Sequence, residues 1–501
     1  MTVSVSSKSS ADDSTHGDQG SADGRSKWRA ILPLGLWLVL LLVPAPAGLT
    51  HEAGSYFALV SGVILALILE PLPAAAIGII GVAIASVMRY VAPNPGASVT
   101  WALSGFSDRT VWLIFGAYVF SIGYNKTGLG RRIALHLVRL LGGRTLGLGY
   151  AIALADLALA PGTPSNTARS AGTSFPVISN IPALYGSQAG PTARKIGGYI
   201  MWTAFASTAV TSSMFLTALA PNVLALSIVR NTTGVEITWT GWIIGFLPIG
   251  LLLIAVVPLL TYWIYPPEIR FSREVPQWAA AELRQMRGIS REEVKMAVAV
   301  GVAVFLWIAG SNSQISLPYL GANFIDATGV VLLVIALMLL AGVLRWDDIL
   351  AHQGAWNILA WFATLVTLAD GLNRVGFVKW FAQLVSAPLV GLNPILALAL
   401  LVGLFFFIHY FFASLSAHTA AVLPVVLAVG AAIPRIPIVP FSLLLVYSLG
   451  LMGVISPYAT GPAPIYYASG FIARPDFWRL GLIFGLIFFG VLILIGIPYL
   501  V

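Results

Sequence analysis

The stretch Thr163-Pro164-Ser165-Asn166-Thr167-Ala168-Arg169-Ser170 carries a polar tip, Ser165, Asn166, Thr167 and Arg169, between two apolar arms, Leu146–Pro164 and Ala171–Ile178. A second tip of similar make, Ser416, Ala417, His418 and Thr419, with Ser414 just ahead of it, again lies between apolar arms. Cationic and titratable side chains are expensive in hydrocarbon and mark functional positions there. Two such tips predict re-entrant hairpins, at about 146–182 and 392–432, built around a small anion.

The surrounding chain has 501 residues, of which 58% are hydrophobic and only 9% charged. That composition excludes a soluble domain and predicts an all-α polytopic membrane protein. The apolar runs are continuous rather than alternating, which excludes a membrane β-barrel. About eleven transmembrane helices are expected, near 30–48, 53–69, 72–91, 109–126, 198–229, 240–264, 294–312, 323–343, 355–373, 437–471 and 477–499, besides the two hairpins.

With the N-terminus in the cytoplasm, twenty of the 27 Lys and Arg residues fall inside, six outside, and Arg169 within the membrane. This asymmetry follows the positive-inside rule and leaves the C-terminus outside, in the inner (plasma) membrane. The net charge of +8 is therefore a topology signal. Its spread over several loops argues against a nucleic-acid partner and for the lipid bilayer. There is no cysteine, so thiol chemistry is excluded. Residues 1–27 are expected to be a disordered cytoplasmic tail.

The chain repeats itself. Trp112 opens an apolar segment leading to Thr127-Gly128-Leu129-Gly130 and the basic stretch Arg131–Leu141; Trp356 opens another leading to Val375-Gly376-Phe377 and Lys379–Val385. Each tip follows, and after each comes a Thr-x-x-Ala-Pro: Thr217–Ala220–Pro221 and Thr460–Ala463–Pro464. The halves are 28–265 and 294–501, joined by a cytoplasmic linker, 266–293, in which Ser290 and Glu293 form a capping box. The topology makes the repeat inverted, and substrate sites of such transporters lie at the midplane where broken helices meet.

Prolines inside membrane helices free backbone carbonyls, so unwound turns are expected around Met214–Asn222 and Ser456–Pro464. Thr217, Pro221, Asn222, Thr460, Gly461 and Pro462 thereby join the candidate substrate site. At the first tip, Ser165 or Thr167 can cap the helix that follows, whose N-terminus suits a carboxylate, and Asn166 adds an amide donor. Arg169, four residues after Ser165, lies on the same helix face as the tip and supplies a permanent positive charge close to the anion. His418 would add a titratable one. Asp156, Asp326 and Asp370 are read as counter-charges or helix-end residues, and His409 has no assigned place.

The motifs TPSNTARS, GYNKTGLGRRIAL and TGPAPIYYASG resemble the divalent anion/sodium symporter family, most of all its dicarboxylate exchanger branch of citrate/succinate and 2-oxoglutarate/malate antiporters. The resemblance covers nearly the whole chain after residue 28. It implies a homodimer whose protomers pair a scaffold with an elevator-type transport domain. It also implies Ser-Asn-Thr tips that hold carboxylates and, in sodium-coupled members, frame sodium sites. Here the second tip reads Ser-Ala-His-Thr, with His418 where such a symporter has asparagine, and the first tip adds Arg169. These substitutions replace a removable cation by a tethered one.

The expected function is thus sodium-independent antiport of C4-dicarboxylates, 2-oxoglutarate or citrate-like anions. An uncompensated charge on Arg169 would keep the empty carrier from crossing and so enforce exchange. The competing readings are a sodium-coupled symporter of the same fold, an anion channel and, remotely, a membrane-embedded enzyme. No nucleophile with a base, nucleotide loop or metal-ligand cluster is evident, so no catalytic residue, cofactor or metal is assigned.

Overall fold

Long apolar runs broken by Pro, Gly and polar residues fold as helices, because only a helix satisfies its own backbone in hydrocarbon. The computed structural model of the chain describes residues 19–286, 288–310, 316–317, 321–322, 324–386 and 391–501; of the expected disordered tail, 1–18 lies outside the described residues, and 19–27 instead forms the start of the first helix. In the first half, α1 is Gln19–Leu42, α2 His51–Leu69, α3 Ala74–Val87, α4 Pro95–Ala102, α5 Arg109–Thr127 and α6 Leu129–Leu141. The first hairpin follows as α7, Thr145–Leu159, then a π-helix, Thr167–Ser174, and α8, Phe175–Ile178. Next come α9, Gly197–Met214, α10, Ala220–Thr233, and α11, Trp239–Ile264.

After α12, Glu274–Gln285, the same order returns. It runs α13 Arg291–Gly310, α14 Ala327–Leu340, α15 Trp346–Ala351, α16 Gln353–Arg374 and α17 Phe377–Ser386. The second hairpin is α18, Pro394–Phe407, and α19, Leu415–Ala432; then α20, Ile438–Leu451, α21, Ala463–Ala468, and α22, Arg474–Leu500. Among the described residues, a two-residue antiparallel pair, β1 Ser316–Leu317 with β2 Gly321–Ala322, and an isolated bridge between Arg144 and Phe271 depart from the helical pattern.

Each of the eleven expected apolar stretches holds a helix or a broken pair of helices, as far as the described residues reach. Among the described residues, eight helices are by themselves long and apolar enough to cross a membrane. Three of these, Thr145–Gly162, Pro394–Phe411 and Leu415–Ala432, belong to the hairpins. The expected breaks are present. Leu216–Ala218 forms a short 3-10 turn between α9 and α10, and Met452–Val454 plus an irregular stretch separate α20 from α21.

Packing gathers most helices into two groups, which α10 bridges by lying against α5 and α16 as well as α20. α5 lies against α14 and α16, and α16 against α3; α9 lies against α7, α11 and α20, and α20 against α22. The exchange of α5 onto α14 and α16 onto α3 is what a two-fold relation between the halves produces. All of α9 is buried, and Gly450 of α20 sits directly on Ala209 and Ser213, a close crossing that small residues permit. The amphipathic helices α6 and α17 run along the hairpins, α6 on α7 and α17 on α19.

The linker is more ordered than its polarity implied. Val275, Ala279 and Leu283 line the buried face of α12, which packs on α6. Arg131 bonds Glu282 at 2.7 Å, and Arg132 bonds Glu293 at 2.6 Å. The Ser290–Glu293 capping box is formed in both directions.

Candidate functional site

At the first tip Pro161 and Pro164 stop the rising arm, and the Ser165 hydroxyl accepts from the Ala168 N–H at 3.2 Å, capping the turn that follows. The tip is bolted to the break between α9 and α10. The Ala220 N–H donates to the Pro164 carbonyl at 2.8 Å, and the Thr217 hydroxyl donates to the Pro161 carbonyl at 2.6 Å. Asn222 holds that break from the other side, its amide donating to the Ser212 carbonyl at 2.7 Å, while Pro221 lies in the first turn of α10.

The tip also reaches into the other half. The Asn166 amide donates to the Thr460 hydroxyl at 2.7 Å. The backbone of Gly461 lies so close to Thr167 that a Cβ there would overlap the Thr167 hydroxyl. Below them the Ser170 and Tyr466 hydroxyls are 2.8 Å apart. Gly461 is exposed and Ser165 and Thr167 half-buried, so the tip keeps an open side; Thr460 and Pro462 are buried behind it.

Arg169 does not share that open side, contrary to the expectation from its spacing. It is fully buried, and its guanidinium points away from the tip into a cage of oxygens. Its Nε donates to Asp156 Oδ2 at 3.1 Å. Nη1 donates to the Thr163 and Ala218 carbonyls at 2.9 and 2.7 Å, and Nη2 to Thr211 and Ser212 hydroxyls at 3.3 and 3.0 Å. A guanidinium has five N–H groups, so none is left for a ligand in this structure. The turn from Ser165 to Arg169 is wound as expected, the Arg169 N–H bonding the Ser165 carbonyl at 2.9 Å, but the long side chain turns back from that face, and residues 167–174 continue as a π-helix. Asp156 has the counter-charge role the sequence suggested, and Thr211 also bonds its Oδ2.

The second tip is built differently. The Ser414 hydroxyl caps α19 by accepting from the Ala417 N–H at 3.3 Å, and the Thr419 hydroxyl turns back to the Leu415 carbonyl at 2.7 Å. Ser416 and Ala417 are buried on the first turn. His418 faces inward rather than toward an anion. Its ring is enclosed by Phe405, His409 and Phe412, with centroids at 4.5, 5.0 and 5.0 Å, and neither ring nitrogen has a hydrogen-bond partner.

His409, unplaced from sequence, docks this hairpin on the second break. Its Nε2 is 2.7 Å from the Ala459 carbonyl, and since a carbonyl only accepts, that nitrogen carries the proton. Asp326 caps α14, and Asp370 pairs with Arg374 at 2.6 Å, so both acids sit at helix ends.

The hairpins and breaks thus meet through the Ala220–Pro164, Asn166–Thr460 and His409–Ala459 bonds, and α10 packs against α19. Helix N-termini in such a place favour negative charge. Among the described residues no cluster of three His, Cys, Asp or Glu is arranged to hold a metal.

The sodium:sulfate symporter transmembrane region, as a family, matches residues 25–500 of this chain. The citrate/succinate antiporter of Escherichia coli K12 is 46% identical over 486 residues, covering 94% of this chain and 98% of its own. The L-tartrate/succinate antiporter of Shigella sonnei is 43% identical over 483 residues, covering 94% and 97%. The crystal structure of the Alcanivorax borkumensis YdaH transporter has the same fold, with a TM-score of 0.57 at 16% identity over 94% of this chain and 97% of that one.

Proposed function

The chain belongs to the sodium:sulfate symporter family of membrane proteins, and on that premise we propose that it is a secondary active antiporter. Its substrates are di- and tricarboxylates such as succinate, tartrate or citrate, the anions for which its relatives are named. The observation that carries the reading is the Asn166–Thr460 bond, which brings one half's tip to the other half's broken helix. Ser165, Asn166 and Thr167 face one carboxylate; Ser414 and Ser416, with the first N–H groups of α19, face the other. Thr460 and Gly461 form the wall between them.

The two packing groups support an elevator movement. In it α9–α11, α20–α22 and the hairpins travel against a scaffold of α1–α5, α13, α14 and α16. The amphipathic helices α6 and α17 serve as arms. An N-terminus in the cytoplasm, a C-terminus outside and a homodimer complete the reading.

Independence from sodium is supported by the surroundings of Arg169. Two carbonyls, two hydroxyls and a carboxylate form an oxygen-rich pocket suited to a hard cation, and a tethered guanidinium fills it. Asp156 offsets the Arg169 charge, so that charge does not by itself hold back the empty carrier.

Purified protein in liposomes tests this by uptake of labelled succinate, with internal succinate present or absent and sodium replaced by choline. Uptake that requires internal succinate and ignores sodium is expected. Uptake into empty liposomes driven by a sodium gradient would make the protein a symporter instead.

A further inference from the structure

Asp156 lies on α7, outside the tip, and nothing in its position lets it touch an anion. We propose that it is a positioning residue for the exchange just described, the acid that makes Arg169 a neutral strut holding the first tip in register. The strut joins three pieces of chain. Asp156 is on the rising arm, Thr163 begins the tip, and Thr211, Ser212 and Ala218 span the end of α9 and the break after it. The side chains of Arg169 and Asp156 are 0% and 3% exposed, so each charge is out of water and has the other as its counter-charge. Removing one partner of such a pair leaves a buried charge, which costs far more than removing both. The geometry of the tip depends on the cage, because the Thr163 carbonyl held by Arg169 lies two residues before Ser165.

The acid makes uneven use of its oxygens. Oδ2 accepts from Arg169 and Thr211, while Oδ1 is buried without a partner. An amide at residue 156 therefore fills the same volume and can keep the Oδ2 interactions through its oxygen. Its unsatisfied change is electrical: the guanidinium would be left uncompensated. The mirror change, an amide at residue 169, leaves the carboxylate uncompensated. The two amides together restore neutrality, while the shorter glutamine gives up the guanidinium's bonds to Thr163, Ala218, Thr211 and Ser212.

The test is exchange of labelled succinate by full-length protein in liposomes, with rate and half-saturation measured for Asp156→Asn, Arg169→Gln and the double variant. An uncompensated charge in the membrane predicts that each single change lowers the saturated rate by at least about fiftyfold. The double variant, free of the uncompensated charge but without the guanidinium's hold on the tip, is expected to be at least about tenfold faster than either single one and still slower than the parent. A single variant that fails to fold while the double folds and exchanges reports the same rescue. A double variant no faster than Arg169→Gln, with raised half-saturation, overturns the proposal, because Arg169 then acts on the substrate itself. Single variants that exchange normally also overturn it. Thermal unfolding of the same four proteins in detergent, without substrate, measures the pairing even if the parent carries some other anion. A failure of the antiport reading is thus separable from a failure of this one.

Discussion

Five oxygen acceptors surround the guanidinium behind the first tip, whereas the ring nitrogens of His418 behind the second find none and rest among Phe405, His409 and Phe412. The two hairpins occupy matching places in the repeat yet are held by different forces. Hydrogen bonds are directional and fix an angle as well as a distance. Aromatic contacts are broad in geometry and let a ring slide. In the proposed site the first tip would therefore be the fixed wall, and the second the wall that shifts as substrate enters or leaves. Changes at the first tip should cost geometry and rate, and changes at the second should cost little.

The largest effect is expected from Gly461→Ala. The new Cβ would overlap the Thr167 hydroxyl and press 3.2 Å from the Thr167 Cβ. Threonine in a helix has few ways to move aside. A displacement of the tip near an ångström lowers exchange by on the order of a hundredfold. Adding Thr167→Ala removes the overlapping hydroxyl and should raise the unfolding temperature of Gly461→Ala toward the parent. If Gly461→Ala exchanges normally, the first tip is not fixed and the contrast between hairpins fails.

Next come the partners of the bond between halves. Asn166→Ala and Thr460→Ala each leave a buried group unsatisfied, at about 1–3 kcal/mol. Exchange should fall about tenfold in either. In a double-mutant cycle the two should couple by about 1 kcal/mol, since they share one bond. Additive losses would mean that each residue meets the substrate separately.

His409→Leu addresses the bond that seats the second hairpin on its break. One buried hydrogen bond to the Ala459 carbonyl is lost, for about 1 kcal/mol, so exchange should fall roughly fivefold. A loss as large as that of Gly461→Ala would show that the second hairpin is as rigidly seated as the first.

Much of this arrangement was legible in the chain. Breakers at Pro161, Pro164, Pro221 and Pro462 mark the ends of the arms and the starts of the helices after the breaks, because proline removes a donor wherever it falls. The direction of Arg169 was not legible. The four-residue rule places the backbone of Arg169 one turn after Ser165, as the bond between them shows, but a long flexible side chain can still turn back from that face into the cage. A signal did exist in Asp156, an acid within an apolar run thirteen residues earlier, which has to find a cation. The place of His409 left no trace, since its partner is a backbone carbonyl fifty residues away in an irregular stretch. The helix α12 could have been read from the apolar spacing of Val275, Ala279 and Leu283, which its charged neighbours obscure.

The smallest effect is expected at the titratable residue of the second tip, with His418→Phe. The ring of His418 is fully buried against three aromatic side chains, and both of its nitrogens lack partners. A buried polar atom without a hydrogen bond is a cost, so an apolar ring of similar shape should leave stability equal or higher. The backbone N–H of residue 418 bonds the Ser414 carbonyl at 3.0 Å and does not depend on the side chain, so the cap of α19 is kept. Exchange of succinate should stay within about threefold of the parent, and the unfolding temperature should not fall. Loss of exchange with stability intact would mean that the ring leaves its cage during the cycle and meets the anion. The second hairpin would then be a moving ligand rather than a yielding wall.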